Sequence, residues 1–306
     1  MSARLLEGKP IAEAIREQVK EQVAGLRAKG VTPRLVAVLA GDNPGAKFYA
    51  EAQEKACREV GIAYELQQHP ADITQQQLED AIRALNADPS VHGILLLMPV
   101  PKGLNGAAAQ ALIAPSKDVD GVSPANLGQV VLGQPRLAPC TAMSVIELLR
   151  ATGVDTYGKE AVVVGSSEIV GKPVALLLMD KYITRDAEGK TGRLAGATVT
   201  VCHIGTSEQG DLAAHTRRAD ILVTAVGVRP GLISGDMVKD GAVVIDVATI
   251  RVKDEATGKT KTYGDVDFEA AQAKASWITP VPGGVGVVTT AILLRNTLEA
   301  CAWQQE

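Results

Sequence analysis

The segment Val162-Val163-Val164-Gly165-Ser166-Ser167-Glu168-Ile169-Val170-Gly171 constrains the fold of this chain more than any other. Three consecutive valines read as a strand buried on both faces, the kind found inside a parallel sheet. A turn of small residues follows, and the apolar pattern then changes to helical spacing. Strand, tight turn and helix in that order begin a right-handed βαβ unit, with the turn on the ligand side of the sheet. Small residues let the main chain approach an anionic group, and a helix start offers free N–H groups and a positive dipole end. The spacing is Gly-x-Ser-x-x-x-Gly, so the Gly-x-Gly-x-x-Gly dinucleotide fingerprint is met in part. The next strand ends at Cys202-His203-Ile204. It carries no acidic residue for a ribose 2′-hydroxyl and no arginine for a 2′-phosphate.

The same alternation runs along most of the chain. A helix is predicted over 11–28 with Pro10 in its first turn, then a strand over 34–40 closed by Gly41-Asp42-Asn43-Pro44. Helix 45–60 and strand 63–68 follow, and Thr74 with Gln77 forms a capping-box pattern for a helix reaching 86. Strand 93–98 ends at Pro99. Residues 117–134, rich in Gly, Pro, Asn and Asp, read as an irregular connection, and Thr141 as the N-cap of a helix to 152. Beyond it the pattern gives strands at 161–164, 198–202, 221–224 and 243–246, helices at 169–180 and 211–217, and a last helix at 289–303. Strands alternating with helices define an α/β chain with parallel sheets. The charged stretch 180–194 reads as a solvated loop at the edge opposite the ligand crevice.

Length and composition limit the function classes. A chain of 306 residues is long enough for two domains. The net charge of −4, with no block of Lys or Arg, argues against a nucleic-acid partner. Four widely spaced cysteines, without metal-ligand spacing, predict no metal site and a reducing compartment. No apolar run reaches membrane-spanning length and the first ten residues lack a signal-peptide core, so a soluble cytoplasmic protein is expected.

Several motifs, taken in order and spacing, resemble the methylenetetrahydrofolate dehydrogenase/cyclohydrolase family of the FolD type across nearly the whole chain. They are Gly41-Asp42-Asn43-Pro44 with Tyr49 and Lys55-Ala56-Cys57, Lys117-Asp118-Val119-Asp120-Gly121, and Pro139-Cys140-Thr141. The segment 165–173, Gly264-Asp265-Val266 and the stretch 279–286 complete the set. The resemblance implies two α/β domains with the active site in the cleft between them. One is a folate-side domain over 1–140, completed by 282–306; the other is a Rossmann-type dinucleotide domain over 141–281. It implies hydride transfer from methylene-tetrahydrofolate to NAD or NADP, and commonly a homodimer. Tyr49, Leu97, Asp120, Pro280, Gly283 and Gly284 would meet the folate. Thr141, Gly165, Ser166, Ser167, Ile169, Ile204, Ala225, Gly227 and Thr249 would meet the dinucleotide.

The departures matter as much. The family's catalytic pair is Tyr-x-x-x-Lys, and here Tyr49 is followed by Gln53 in the lysine's place. Spacing of i,i+4 puts both on one helical face, flanked by Ala46, Ala52 and Ala56, so no ionisable neighbour substitutes. The family's glutamine in the strand before proline is Leu97, which removes the lysine's partner as well. Hydride transfer needs orientation, whereas hydrolysis of the methenyl bridge needs a titratable group. A glutamine does not exchange a proton near neutral pH. Dehydrogenase activity with weak or absent cyclohydrolase is therefore expected. The arginine frequent after the first glycine is Ser166, the serine frequent after the strand-end histidine is Ile204, and the lean is to NAD.

Overall fold

The computed structural model describes residues 2–180, 184–185, 191–192, 196–253 and 260–306, with backbone only at 184–185 and 191–192. The first half runs β1 (Arg4–Leu5), α1 (Gly8–Ala28), β2 (Arg34–Ala40), α2 (Pro44–Val60), β3 (Ala63–His69), α3 (Gln75–Ala87), β4 (Gly93–Leu96), α4 (Gly106–Ala111), α5 (Pro124–Val131) and α6 (Cys140–Thr152). The second runs β5 (Glu160–Val164), α7 (Gly171–Met179), β6 (Thr184–Arg185), β7 (Thr191–Gly192), β8 (Thr198–Cys202), α8 (Ile204–Glu208), α9 (Leu212–Thr216) and β9 (Ile221–Thr224). It closes with β10 (Val243–Asp246), β11 (Ile250–Lys253), β12 (Thr260–Tyr263), α10 (Phe268–Gln272), β13 (Trp277–Ile278) and α11 (Val285–Trp303). The chain divides into two compact units, Ala12–Cys140 with Thr290–Glu306, and Met1–Ile11 with Thr141–Thr289.

In the first of these, β3, β2 and β4 pair in parallel in that order, and Asp118 extends the sheet by a parallel bridge to Ile94. Side chains alternate along the strands. Val36, Val38 and Ala40 of β2, with Ile94 and Leu96 of β4, pack on Leu78, Ile82 and Leu85 of α3. Helix α2 packs against β2 and β3. It presents a buried stripe of Ala46, Ala50, Cys57 and Val60. The Thr74–Gln77 capping box forms as expected at the start of α3.

In the second unit six parallel strands take the order β1-β13-β10-β9-β5-β8. Val162, Val164, Leu222 and Val244 form a core with Leu212 of α9 and Ala271 of α10. The alternate positions Val163, Val223 and Ile245 are also buried, and α7 covers β5 and β8. Helices on both faces of a parallel sheet make this a doubly wound unit.

Five expectations change. Residues 1–11 and 282–289 leave the folate-side assignment of 1–140 with 282–306 and join the six-stranded unit, where β1 pairs with β13 at Arg4↔Trp277 and Leu5↔Ile278 and Gly8 N donates to Gly283 O at 2.8 Å. The segment 117–134 contains α5, started by Ser123 as N-cap and Pro124 at N1, two helix-start signals hidden among turn-forming residues. Thr141 lies inside the first turn of α6 rather than capping it. Helix α7 begins at Gly171, because 168–170 form a separate turn. Helix α11 begins at Val285, within the Gly-rich stretch. By length and apolar composition α11 would also pass for a membrane span. Ala291, Ile292, Leu294, Ala300 and Cys301 are buried in the fold, as in a core helix. The loop expectation at 181–195 lies outside the described residues, apart from the backbone of β6 and β7, which pair antiparallel.

Candidate active site

The first group of candidate residues lies in the unit built on β3-β2-β4. Helix α2 leaves β2 through a turn in which the Asn43 side chain accepts from Ala46 N at 3.1 Å and Pro44 occupies the helix start. Tyr49 follows on the first turns, 53% exposed, its ring edge-on to Phe48 with centroids 6.3 Å apart. Gln53, one turn on, continues the buried stripe, and its Oε1 is buried without a hydrogen-bond partner. Glu51, Glu54 and Lys55 are exposed around it. The next group along the stripe is Cys57, whose thiol is pushed by burial up to about 12, with Glu54 adding to the rise. Burial also raises the Tyr64 hydroxyl on the adjoining β3 strand. Neither replaces a lysine as a proton carrier near neutrality.

Leu97 leaves β4 buried, its N–H donating to Val38 O at 2.9 Å. The Lys117-Asp118-Val119-Asp120-Gly121 motif divides its work. Lys117 is buried, and its Nζ donates to the carbonyls of Leu85 at 3.1 Å, Asn86 at 2.9 Å and Asp88 at 2.7 Å, closing the C-terminus of α3. Asp118 is buried and accepts from Gly121 N at 3.0 Å, Ser123 N at 2.7 Å and Asn126 Nδ2 at 2.9 Å. Gly121 holds φ 72°. A Cβ there would strike the Ala138 carbonyl. Asp118 and Lys117 thus carry the turn, and Asp120 is left partly exposed. Burial pushes its carboxyl up to about 6, the Asp118 charge adds to that, and a hydrogen bond from the Cys140 thiol opposes it.

The second group lies in the six-stranded unit. Gly165 follows β5 with φ 127°. A Cβ on Gly165 would strike Ala225 O, and one on Gly171 would collide with Gly165 O. This is a cradle that side chains would fill, and it fits a dinucleotide pyrophosphate approaching main chain. A pocket of about 440 Å³ opens beside it, lined by Gly165, Ser166 and Ser167, by His203 and Ile204 after β8, and by Ala225, Val226, Val228 and Arg229 after β9. Gly165, Ser166, Ser167, Ile204 and Ala225 were expected there. Thr141, Ile169, Gly227 and Thr249 do not line it. His203 does; its Nδ1 accepts from Gly205 N at 3.1 Å, so it also caps α8. Arg229, the one Arg or Lys among the lining residues, comes from the loop after β9, whereas the positions at which a cation is looked for in the sequence are Ser166 after β5 and 202–204 at the end of β8.

Pro280, Gly283 and Gly284 belong to the same unit. Gly283 has φ 112°, its carbonyl accepts from Gly8 N at 2.8 Å, and a Cβ on Gly284 would meet Pro280 O at 2.8 Å. Among the described residues no group of His, Cys, Asp and Glu could hold a metal ion. The four cysteines are free and buried.

Two family models match successive parts of the chain. The catalytic domain of the tetrahydrofolate dehydrogenase/cyclohydrolase family matches residues 6–120, and its NAD(P)-binding domain matches 139–305. The "Bifunctional protein FolD" of Moorella thermoacetica is 48% identical over 300 residues, 98% of this chain and 99% of the relative. The bifunctional FolD of Campylobacter jejuni superposes with a TM-score of 0.87 at 41% identity, covering 98% of this chain and 99% of its own. The Trypanosoma brucei methylenetetrahydrofolate dehydrogenase-cyclohydrolase, solved with NADP and inhibitor, gives 0.89 at 38% identity, covering 100% and 99%. Both halves match, and the chain belongs to the tetrahydrofolate dehydrogenase/cyclohydrolase family of NAD(P)-dependent oxidoreductases.

Proposed function

We propose that this enzyme oxidises 5,10-methylene-tetrahydrofolate to the methenyl form and hydrolyses the methenyl product weakly or not at all. The observation that carries the reading is the buried, unpartnered Oε1 of Gln53. An acceptor left in that state costs roughly 1–3 kcal/mol. A ligand N–H or hydroxyl donated to it removes the cost. The carboxamide can hold and orient a folate but cannot pass a proton to or from water. Leu97, in place of the family's glutamine, adds no titratable group. Losing a positioned acid or base costs roughly 10²–10⁴ in rate. Hydride transfer needs no such group, only reacting carbons held in near-attack contact.

In this reading Tyr49 lies against the folate, Asp120 accepts from the N–H groups of its pterin ring, and Pro280, Gly283 and Gly284 form a further wall. Gly165, Ser166, Ser167, Ile204 and Ala225 hold the dinucleotide, joined by Thr141, Ile169, Gly227 and Thr249. When bound, the dinucleotide supplies the hydride acceptor. Ser166 brings no guanidinium and Ile204 no hydroxyl to the ribose, which favours NAD. A cytoplasmic homodimer completes the proposal, without nucleic-acid or membrane partners.

A second reading is a bifunctional dehydrogenase/cyclohydrolase, the activity named in the Moorella thermoacetica and Campylobacter jejuni relatives. Its proton carrier in this chain would be Asp120, whose carboxyl is displaced toward neutrality. A third, a folate- or dinucleotide-binding paralogue without catalysis, is separated by turnover alone. Following methenyl formation with NAD and with NADP, and methenyl decay apart from it, distinguishes all three.

A further inference from the structure

The Gly264-Asp265-Val266 motif lies outside the dinucleotide pocket, yet its geometry is directed at one wall of it. The buried Asp246 carboxylate accepts from Val266 N at 2.9 Å, from Ala248 N at 3.1 Å and from the Thr224 hydroxyl at 3.1 Å. Gly264 passes so close to this carboxylate that a Cβ would overlap Asp246 Oδ2. Anchored there, the chain turns the fully buried Asp265 side chain towards the loop after β9. Its two oxygens accept separately, Oδ2 from Val226 N at 2.8 Å and Oδ1 from Gly227 N at 2.9 Å. The Asp265 carbonyl accepts from Ile233 N at 3.0 Å, and Ile233 O accepts from Asp267 N at 2.9 Å.

One short segment therefore grips both ends of the loop 226–233. Between those ends lie Val226, Val228, Arg229 and Leu232, all lining the pocket. Backbone N–H groups bonded to an ionised carboxylate make stronger links than neutral pairs. A loop held at both ends has few conformations left to lose when a ligand binds.

We infer that Asp265 is a positioning residue for the dinucleotide, holding the loop that forms the pocket's far wall. This rests on the reading of that pocket as the dinucleotide site. Without the carboxylate, Val226 and Gly227 lose their acceptor and the wall no longer stands ready-made. Affinity for the dinucleotide falls, while Tyr49, Gln53 and Asp120 on the other unit are untouched.

The test compares wild type, Asp265→Ala, Asp265→Asn and a control, Asp267→Ala. Asp267 caps α10 through Ala270 N at 3.3 Å and lines no part of this pocket. The readouts are NAD and NADP dissociation constants by titration, and KM for each substrate against kcat. For Asp265→Ala the expected result is a rise of ~10-fold or more in dinucleotide Kd and KM. Folate KM is unchanged, and kcat at saturation stays within about threefold. Asp265→Asn, which keeps one acceptor oxygen, falls between. Unchanged dinucleotide affinity in Asp265→Ala overturns the inference, as does an equal loss in Asp267→Ala. Wild type that binds neither dinucleotide overturns the reading of the pocket itself, and the inference with it. If the Asp265 variants do not fold, amide exchange in the wild-type protein decides. Slow exchange at Val226 and Gly227 without ligand supports the clamp; exchange as fast as in an unbonded loop refutes it.

Discussion

Gly171 stands so close to the Gly165 carbonyl that not even a methyl group fits between them. The first turn of α7 is thereby pressed against the end of β5, and the turn 165–170 stays narrow enough for a pyrophosphate to meet main chain. Gly171→Ala must push these apart. The expected result is loss of dinucleotide binding by ~10-fold or more, together with destabilisation of roughly 1–3 kcal/mol from overpacking. Calorimetric titration with NAD and NADP, beside a thermal melt, checks both.

Lys117 makes a different kind of prediction. Its ammonium ties three carbonyls at the end of α3 and reaches no candidate ligand residue. Lys117→Met keeps the stem and removes the donors, leaving carbonyls of a helix end unsatisfied. Urea denaturation is expected to show a loss of roughly 2–4 kcal/mol. Dinucleotide affinity should remain that of wild type.

Asp120 links folate binding to pH. Its carboxyl is raised to about 6 by burial, with Asp118 contributing and the Cys140 thiol opposing. In the unfolded chain it ionises near its ordinary value, about 4. Between these values the native state binds the proton more tightly, so stability falls as pH rises from about 4 to about 6. Asp120→Asn removes this cost. Its Tm at pH 7.5 should exceed that of wild type, by an energy of at most roughly 3 kcal/mol. The difference should narrow at pH 4, where the wild-type carboxyl is protonated, and folate KM should rise. A gain in Tm that is the same at both pH values would refute the assignment to this carboxyl.

Arg229 tests cofactor choice. It is the one Arg or Lys lining the pocket, while Ser166 and Ile204 offer no charge. If NAD is preferred, Arg229→Ala should change NAD and NADP affinity by similar factors. A selective loss of NADP affinity would show Arg229 gripping a 2′-phosphate, against the preference for NAD.

Much of the fold was legible because each unit repeats one physical pattern. β2, β5 and β9 are short apolar strands bounded by turn residues, and the Thr74–Gln77 capping box declares its helix locally. Helix α5 was not legible, because Ser123 and Pro124 are turn residues as readily as helix starters. The site divides similarly. Tyr49 and Gln53 share a face by helical spacing alone. That Asp118 builds the turn and Asp120 is spared depends on Asn126 and Ser123 meeting Asp118 in space, which no local pattern encodes. Arg229 escaped notice because it enters the pocket from the neighbouring strand's loop, a relationship set by strand order.

The double variant Gln53→Lys with Leu97→Gln introduces the residues that the sequence resemblance implies at both positions. Cyclohydrolase activity is expected to rise by ~10²-fold or more over wild type, with the dehydrogenase rate within about tenfold. Gln53→Lys alone should gain less, since Leu97 leaves the ammonium without that partner.

The most direct measurement needs only the wild-type protein. Methylene-tetrahydrofolate is turned over with NAD and separately with NADP, and the methenyl product is followed spectroscopically to exhaustion of substrate. The account predicts that methenyl-tetrahydrofolate accumulates and then decays at the rate seen without enzyme. Decay that accelerates in proportion to enzyme concentration would contradict it, and would mean that a group other than Gln53 moves the proton.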